Sequence, residues 1–136
     1  RQQLPQGMVP NESYKQPFLN GDGYGIGWYD NNDIKVGGEG ACVFVSSTPA
    51  WNDSNLAQLS DKIRSNLIFA HVRAAGPSTP VGQSLCHPFR CGKFIFMHNG
   101  VIGGFNKVQR PLLSLLNNIS FDIAMKHSAI DSAVAF

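Results

Sequence analysis

His71 and Arg73 stand two residues apart in the segment "NLIFAHVRAA" (66–75). On an extended chain that spacing puts both side chains on one face. A guanidinium does not lose its charge, so on so apolar a strand it needs an anion beside it. Two kinds of anion are open to Arg73: a structural carboxylate, Asp22 or Asp131, or the carboxylate of a ligand gripped by the planar fork. Downstream, Asn99-Gly100 closes the segment "KFIFMHNG" (93–100). That pair reads as a hairpin turn. It also reads as an oxyanion hole, a carboxamide followed by a backbone N–H that glycine leaves unobstructed. Between these segments lies "CHPFRCG", where Cys86 adjoins His87. Neighbours on an extended chain point to opposite sides, so His87 is poorly placed as a base for that thiol.

Two other constellations are weaker. "GDGYGIG" suggests a nucleotide loop, but from Gly21 the dinucleotide pattern needs glycine at position 26, where Ile26 stands. No Gly-Lys-Ser/Thr ending follows, and the next residues suit a strand and not a helix. The glycines are read as serving tight turns and close packing between layers. His71, Cys86, His87, Cys91 and His98 include no pair at the usual zinc-ligand spacing, so no metal is expected.

The elements that must position these residues follow from the patterning. Residues 1–20 are rich in Gln, Pro and Asn and read as a loop. Gly25–Tyr29 alternates like a strand, Asp30–Asp33 is a turn, and 34–36 suits a return strand. A further strand is expected over 41–47. Leu56, Leu59 and Ile63 have helical spacing, with Asp53 or Ser54 as N-cap. In 66–75 both faces carry apolar residues, which predicts a strand buried between layers. Residues 76–92, with three prolines, read as an irregular loop. The strand 93–100 comes next, then a sharp turn. Leu112, Leu115, Leu116 and Ile119 mark a helix with Pro111 in its first turn, and another helix begins near Asp131. No linker divides the chain, so 21–136 is read as one core.

Composition narrows the partners. Charged residues make up 15% of the chain, against a usual share of about 25%. That deficit suggests a chain largely buried in something bigger. The net charge of +2 comes from scattered basic residues, which argues against nucleic acid or an anionic membrane as partner. No apolar run approaches the roughly 20 residues of a membrane span. Three cysteines, an odd number, suggest reduced thiols and a cytoplasmic location.

The order "NGDGYGIGWY", "FAHVRAA", "CHPF", "FMHNG", from about Asn20 to Phe105, resembles the class II glutamine amidotransferases. Within them, "TPAWNDSNLAQLSDKIRSNLIFAHVRAA" and "MHNGVIGGFNKVQR" are most similar to the amidotransferase-like enzymes of fungal glutathione breakdown. The resemblance implies an α+β fold, the N-terminal-nucleophile hydrolase αββα sandwich, incomplete here as a partial type 2 domain. It implies hydrolysis of a γ-glutamyl amide, glutamine or glutathione, through a γ-glutamyl thioester on an N-terminal cysteine whose own amine is the base. That cysteine is expected upstream of Arg1. No cofactor is implied, and the fungal branch works with a peptidase-like partner subunit. Carried over by residue, Arg73 holds the substrate α-carboxylate, and Asn99 and Gly100 form the oxyanion hole. Asp131 holds the α-ammonium, while His71 and His87 shape the pocket and its loop. The chain departs from the pattern in "HSAIDSA", where Ile130 and Ala133 replace a hydroxyl residue and an acid. Gly76 stands where relatives often carry a hydroxyl. The alternative is a non-catalytic remnant or pseudoenzyme that binds a γ-glutamyl compound or a partner subunit.

Overall fold

The computed structural model describes residues 19–30, 40–76 and 79–136. The expected return strand over 34–36 and most of the 1–20 loop fall outside them. The described residues form a mixed α+β structure. Tyr24–Trp28 (β1) is the middle strand of a three-stranded antiparallel sheet, flanked by Cys42–Ser46 (β2) and Ile68–Val72 (β3). Phe89–Cys91 (β4) and Phe94–Phe96 (β5) pair as a separate two-stranded ribbon.

The glycine string explains how ribbon and sheet come together. Gly23, Gly25 and Gly27 fall at period two, so they present one bare face at and beside β1. A Cβ on Gly25 would overlap the carbonyl oxygen of His87. One on Gly27 would lie 2.9 Å from Pro88 Cγ and 3.1 Å from Ile95 Cδ1. Glycine normally weakens a strand. Here its lack of a side chain lets the 86–88 segment and β5 lie directly on the sheet. The Tyr29 hydroxyl adds a tie, donating to the Lys93 carbonyl at 2.8 Å.

On its other side the ribbon meets helices. Phe89 stacks on His127 with centroids 4.0 Å apart, and Phe96 stacks on Phe136 at 5.5 Å. The helices are Ser54–Lys62 (α1), Phe105–Leu115 (α2), Asn118–Lys126 (α3) and Asp131–Ala135 (α4). Asp53 caps α1, its carboxylate accepting the Asn55 N–H at 2.9 Å. Sheet, ribbon and the helices α3 and α4 thus stack in that order, whereas Asp53 at the start of α1 lies beside Tyr24, on the face of β1 opposite to Gly25.

Three expectations need correction. The 76–92 segment is not wholly irregular. It contains a short 3-10 turn at Gln83–Leu85 and all of β4, whose three residues find their partner only across the Gly92 turn. Three residues are too few to show a period. Pro111 is not in a first turn: α2 begins at Phe105, set by Gly104 in the left-handed region at φ 68°. The helix breaks at Leu116 and restarts under an Asn117 cap. Leu115 and Ile119 therefore do not share a core stripe and are 80% and 71% exposed. Finally, β3 is buried on one face only: Phe69 and His71 are half-buried, while Ile68, Ala70 and Val72 are exposed. Among the described residues no helix is long and apolar enough to cross a membrane.

Candidate active site

In the β1–β3 ladder Gly25 lies opposite His71. Because Gly25 has no side chain, the backbone of His87 settles over it, and the His87 ring comes to rest beside His71. His87 Nδ1 is 3.3 Å from His71 Nε2, and the rings meet edge to face with centroids 4.5 Å apart. The same His71 Nε2 is 2.9 Å from Asn99 Oδ1. A β-strand, an irregular segment and the stretch beyond β5 thus deliver three predicted site residues to one place.

Arg73 follows on the same face. The ladder continues past β3, with Arg73 N–H donating to the Gly23 carbonyl at 2.8 Å and Asp22 N–H to the Arg73 carbonyl at 3.0 Å. This holds the backbone, and the side chain is 6% exposed. Its Nη2 donates to the Pro80 carbonyl at 3.0 Å, whereas Nη1 is buried without a hydrogen-bond partner among the described residues. Neither candidate structural acid takes the fork. The Asp22 carboxylate accepts the Ala75 N–H at 2.8 Å. Asp131 accepts the Ile102 N–H at 2.9 Å and its neighbour's, Ser132, at 2.8 Å.

Asn99-Gly100 is not a hairpin turn, because β5 pairs backwards with β4 and the chain after Gly100 turns into α2. Gly100 has φ 116°, a conformation L side chains rarely adopt. The N-terminus of α4 braces the pair from both sides. Ser132, buried, lies 2.9 Å from His98 Nδ1 just before the pair, and Asp131 holds Ile102 just after it. His98 and Ser132 are positional residues that the sequence reading did not assign to the site. Their only signal was adjacency, His98 to Asn99 and Ser132 to Asp131.

Burial sets the protonation states. It pushes the His87 pKa down to about 4, helped by the nearby His71, His98, Arg73 and His127. His71 is lowered by burial too, with a partial offset from its bond to Asn99. Both imidazoles are therefore neutral at pH 7. Burial raises the Cys86 thiol, whose Sγ donates to the Ser46 carbonyl at 3.3 Å. A protonated, buried thiol is not an activated nucleophile. Among the described residues, no three His, Cys, Asp or Glu side chains converge as a metal site would require.

The fold belongs to a known class. The structure matches that of a glutamine aminotransferase class-II domain protein from Silicibacter pomeroyi, with a TM-score of 0.60 and 27% identity. That match covers 82% of this chain and 41% of the other. Residues 14–116 match the family described as class-II glutamine amidotransferases, and the chain belongs to that family. It is 43% identical over 96 residues to the probable glutamine amidotransferase DUG3 of Saccharomyces cerevisiae, covering 71% of this chain and 26% of the yeast protein. It is 31% identical over 103 residues to the γ-glutamyl-hercynylcysteine sulfoxide hydrolase of Mycolicibacterium smegmatis, covering 72% of this chain and 42% of that protein. The chain therefore spans less than half the length of either relative.

Proposed function

We propose that this chain builds the γ-glutamyl-binding and oxyanion-stabilising part of an amide hydrolase. One observation carries the reading: the buried Arg73 Nη1, without a partner, on the strand face that also carries His71 and its bond to Asn99. A buried guanidinium donor left unmet is costly unless an acceptor arrives. The α-carboxylate of a γ-glutamyl compound is such an acceptor, and a planar fork suits it. With that end anchored, the Asn99 amide and Gly100 N–H take the negative charge that develops on the γ-carbonyl oxygen. Asp131 has lone pairs left beyond its two backbone donors for the α-ammonium. His87 has a second buried atom without a partner, Nε2, and packs the pocket behind His71.

Hydrolysis further needs a thiol with a base beside it. Cys42, Cys86 and Cys91 are internal, so none has the free amine that lets an N-terminal cysteine serve as both. In this reading the nucleophile is an N-terminal cysteine upstream of Arg1. Glutathione as substrate and a peptidase-like partner subunit follow from the resemblance to the fungal branch and belong to the same proposal, as does a cytoplasmic location. The second reading, a non-catalytic γ-glutamyl binder, is favoured by the inert Cys86 and by Ala133 in place of an acid.

The test compares residues 1–136 with a version extended upstream to an N-terminal cysteine. Both are titrated calorimetrically with glutamine and glutathione, and glutamate release is assayed. Binding by both and turnover by the extended form alone are expected. Binding without turnover in either form selects the non-catalytic reading. Failure of both to bind removes the proposal, and turnover by the short chain that vanishes in Cys86→Ser makes Cys86 the nucleophile instead.

A further inference from the structure

Asn99 is exposed, and its carboxamide has two chemically opposite ends. Turned one way it offers two N–H donors; turned the other it offers an oxygen, which repels a developing oxyanion. An unrestrained side chain samples both, so an oxyanion hole needs something to choose between them. We propose that His71 is the positioning residue that makes this choice, holding Asn99 Oδ1 through its Nε2–H so that Asn99 Nδ2 faces the reacting carbonyl. The inference rests on the oxyanion role proposed above for Asn99 and adds how that role is enforced.

Nε2 of His71 lies 2.9 Å from Asn99 Oδ1. An oxygen at that distance from a bare ring nitrogen would set lone pair against lone pair, so Nε2 must carry the proton. A neutral imidazole has one N–H, so Nδ1 of His71 is the bare nitrogen; it lies toward the backbone of His98 but makes no hydrogen bond of normal geometry there. The neighbouring ring follows. His87 Nδ1 is 3.3 Å from the same Nε2. It too must be bare, since two N–H groups would collide. His87 then carries its proton on Nε2, a buried atom without a partner. One tautomer thus sets the next.

The arrangement is also stiff. His71 sits in the β1–β3 ladder opposite Gly25, and the His87 ring packs edge-on against both His71 and Phe89. The lowered affinity of both rings for a second proton keeps the neutral pair in place at pH 7. Two conditions are thereby met: a fixed donor, and a fixed distance to the amide it orients.

The competing arrangement puts the His71 proton on Nδ1, toward the backbone of His98, and turns Asn99 around to donate its own N–H to Nε2. The two differ in a measurable proton position. In the chain labelled with ¹⁵N-histidine, long-range ¹H–¹⁵N spectra at pH 7 should show the proton of His71 on Nε2. A proton on Nδ1 overturns the inference whether or not the chain binds a ligand.

The second measurement uses glutamine labelled with ¹³C at the γ-carbonyl. Bound to the wild-type chain, its carbonyl resonance should move downfield as the Asn99 N–H polarises it. His71→Gln keeps an N–H at similar reach and should retain the shift. His71→Met has no donor and should lose it, the shift being read for both variants at saturating glutamine so that a change in affinity does not enter. A shift that persists in His71→Met overturns the inference. A wild-type chain that fails to bind glutamine counts against the proposed function, and the tautomer measurement then decides the inference alone.

Discussion

The carbonyl of His87 sits where a side chain on Gly25 would have to be. This contact places the His87 ring against His71 and brings the 86–88 segment onto the sheet. The site exists because β1 is bare at that point. Gly25→Ala should therefore cost about 1–3 kcal/mol or more, the usual range for forcing volume into a packed contact. Gly82→Ala and Gly103→Ala add a Cβ with nothing within 4 Å and should change stability by less than about 1 kcal/mol. Urea unfolding midpoints of the three variants give the comparison. Equal midpoints would mean that the close approach carries no weight.

Arg73 is a charge kept ready, with one nitrogen unpartnered. Arg73→Met should leave the ligand-free chain as stable as wild type or more stable, because it removes a buried charge that no carboxylate among the described residues pairs. The same change should abolish glutamine binding. Arg73→Lys keeps the charge without the fork and should weaken binding by about tenfold or more. Thermal melts and calorimetry check the two halves separately. A Met variant that melts well below wild type would make Arg73 a structural residue.

For Asn99, the proposed oxyanion role predicts a specific split. In the form carrying the N-terminal cysteine, Asn99→Ala should lower kcat by roughly 10²–10³ with little change in KM. Steady-state kinetics measure both, and near-normal kcat would take Asn99 out of the mechanism.

Asp131 holds the loop that follows Asn99-Gly100. A hydrogen bond to a charged group is worth about 1.5–3 kcal/mol, so Asp131→Ala should speed exchange of the Ile102 amide by about tenfold or more. Asp131→Asn retains an acceptor and should largely preserve that protection, while weakening substrate binding through loss of the negative charge. Hydrogen exchange read at Ile102 separates the two roles. Unchanged exchange in the Ala variant would leave Asp131 without the loop function.

Stability should also fall in mild acid. His87 takes up its proton near pH 4 when folded and near 6.5 when unfolded. Below pH 6.5 the unfolded chain binds more protons, so its population grows as pH falls. The contribution is complete above about pH 6.5, shrinks toward pH 4 and is then lost, a change of about 3 kcal/mol for a full shift of that size. His71 moves in the same direction. Melting temperature measured from pH 7 to 4 should drop, and His87→Asn should flatten the curve. A wild-type curve already flat across that range would contradict the buried neutral pair.

The sequence by itself determined what is local. Alternation in 66–75 put His71 and Arg73 on one face, Asp53 or Ser54 marked the start of α1, and the ordered motifs named the family. Each of these depends on backbone geometry over a few residues or on the order of short words. What faces Arg73 was decided only in the folded chain. Asp22 and Asp131 were equally available in sequence, and both carboxylates turned out to be held by backbone N–H groups instead. The bond from His71 to Asn99 spans 28 residues. No periodicity encodes it, because it joins β3 to the stretch beyond β5, two segments that meet only when the ribbon packs on the sheet. The helix through Pro111 and the three-residue β4 were likewise set by partners and turns: Gly104 fixed where α2 starts, and β5 supplied the pairing. Local propensity is weak over such short stretches, and long-range packing overrides it.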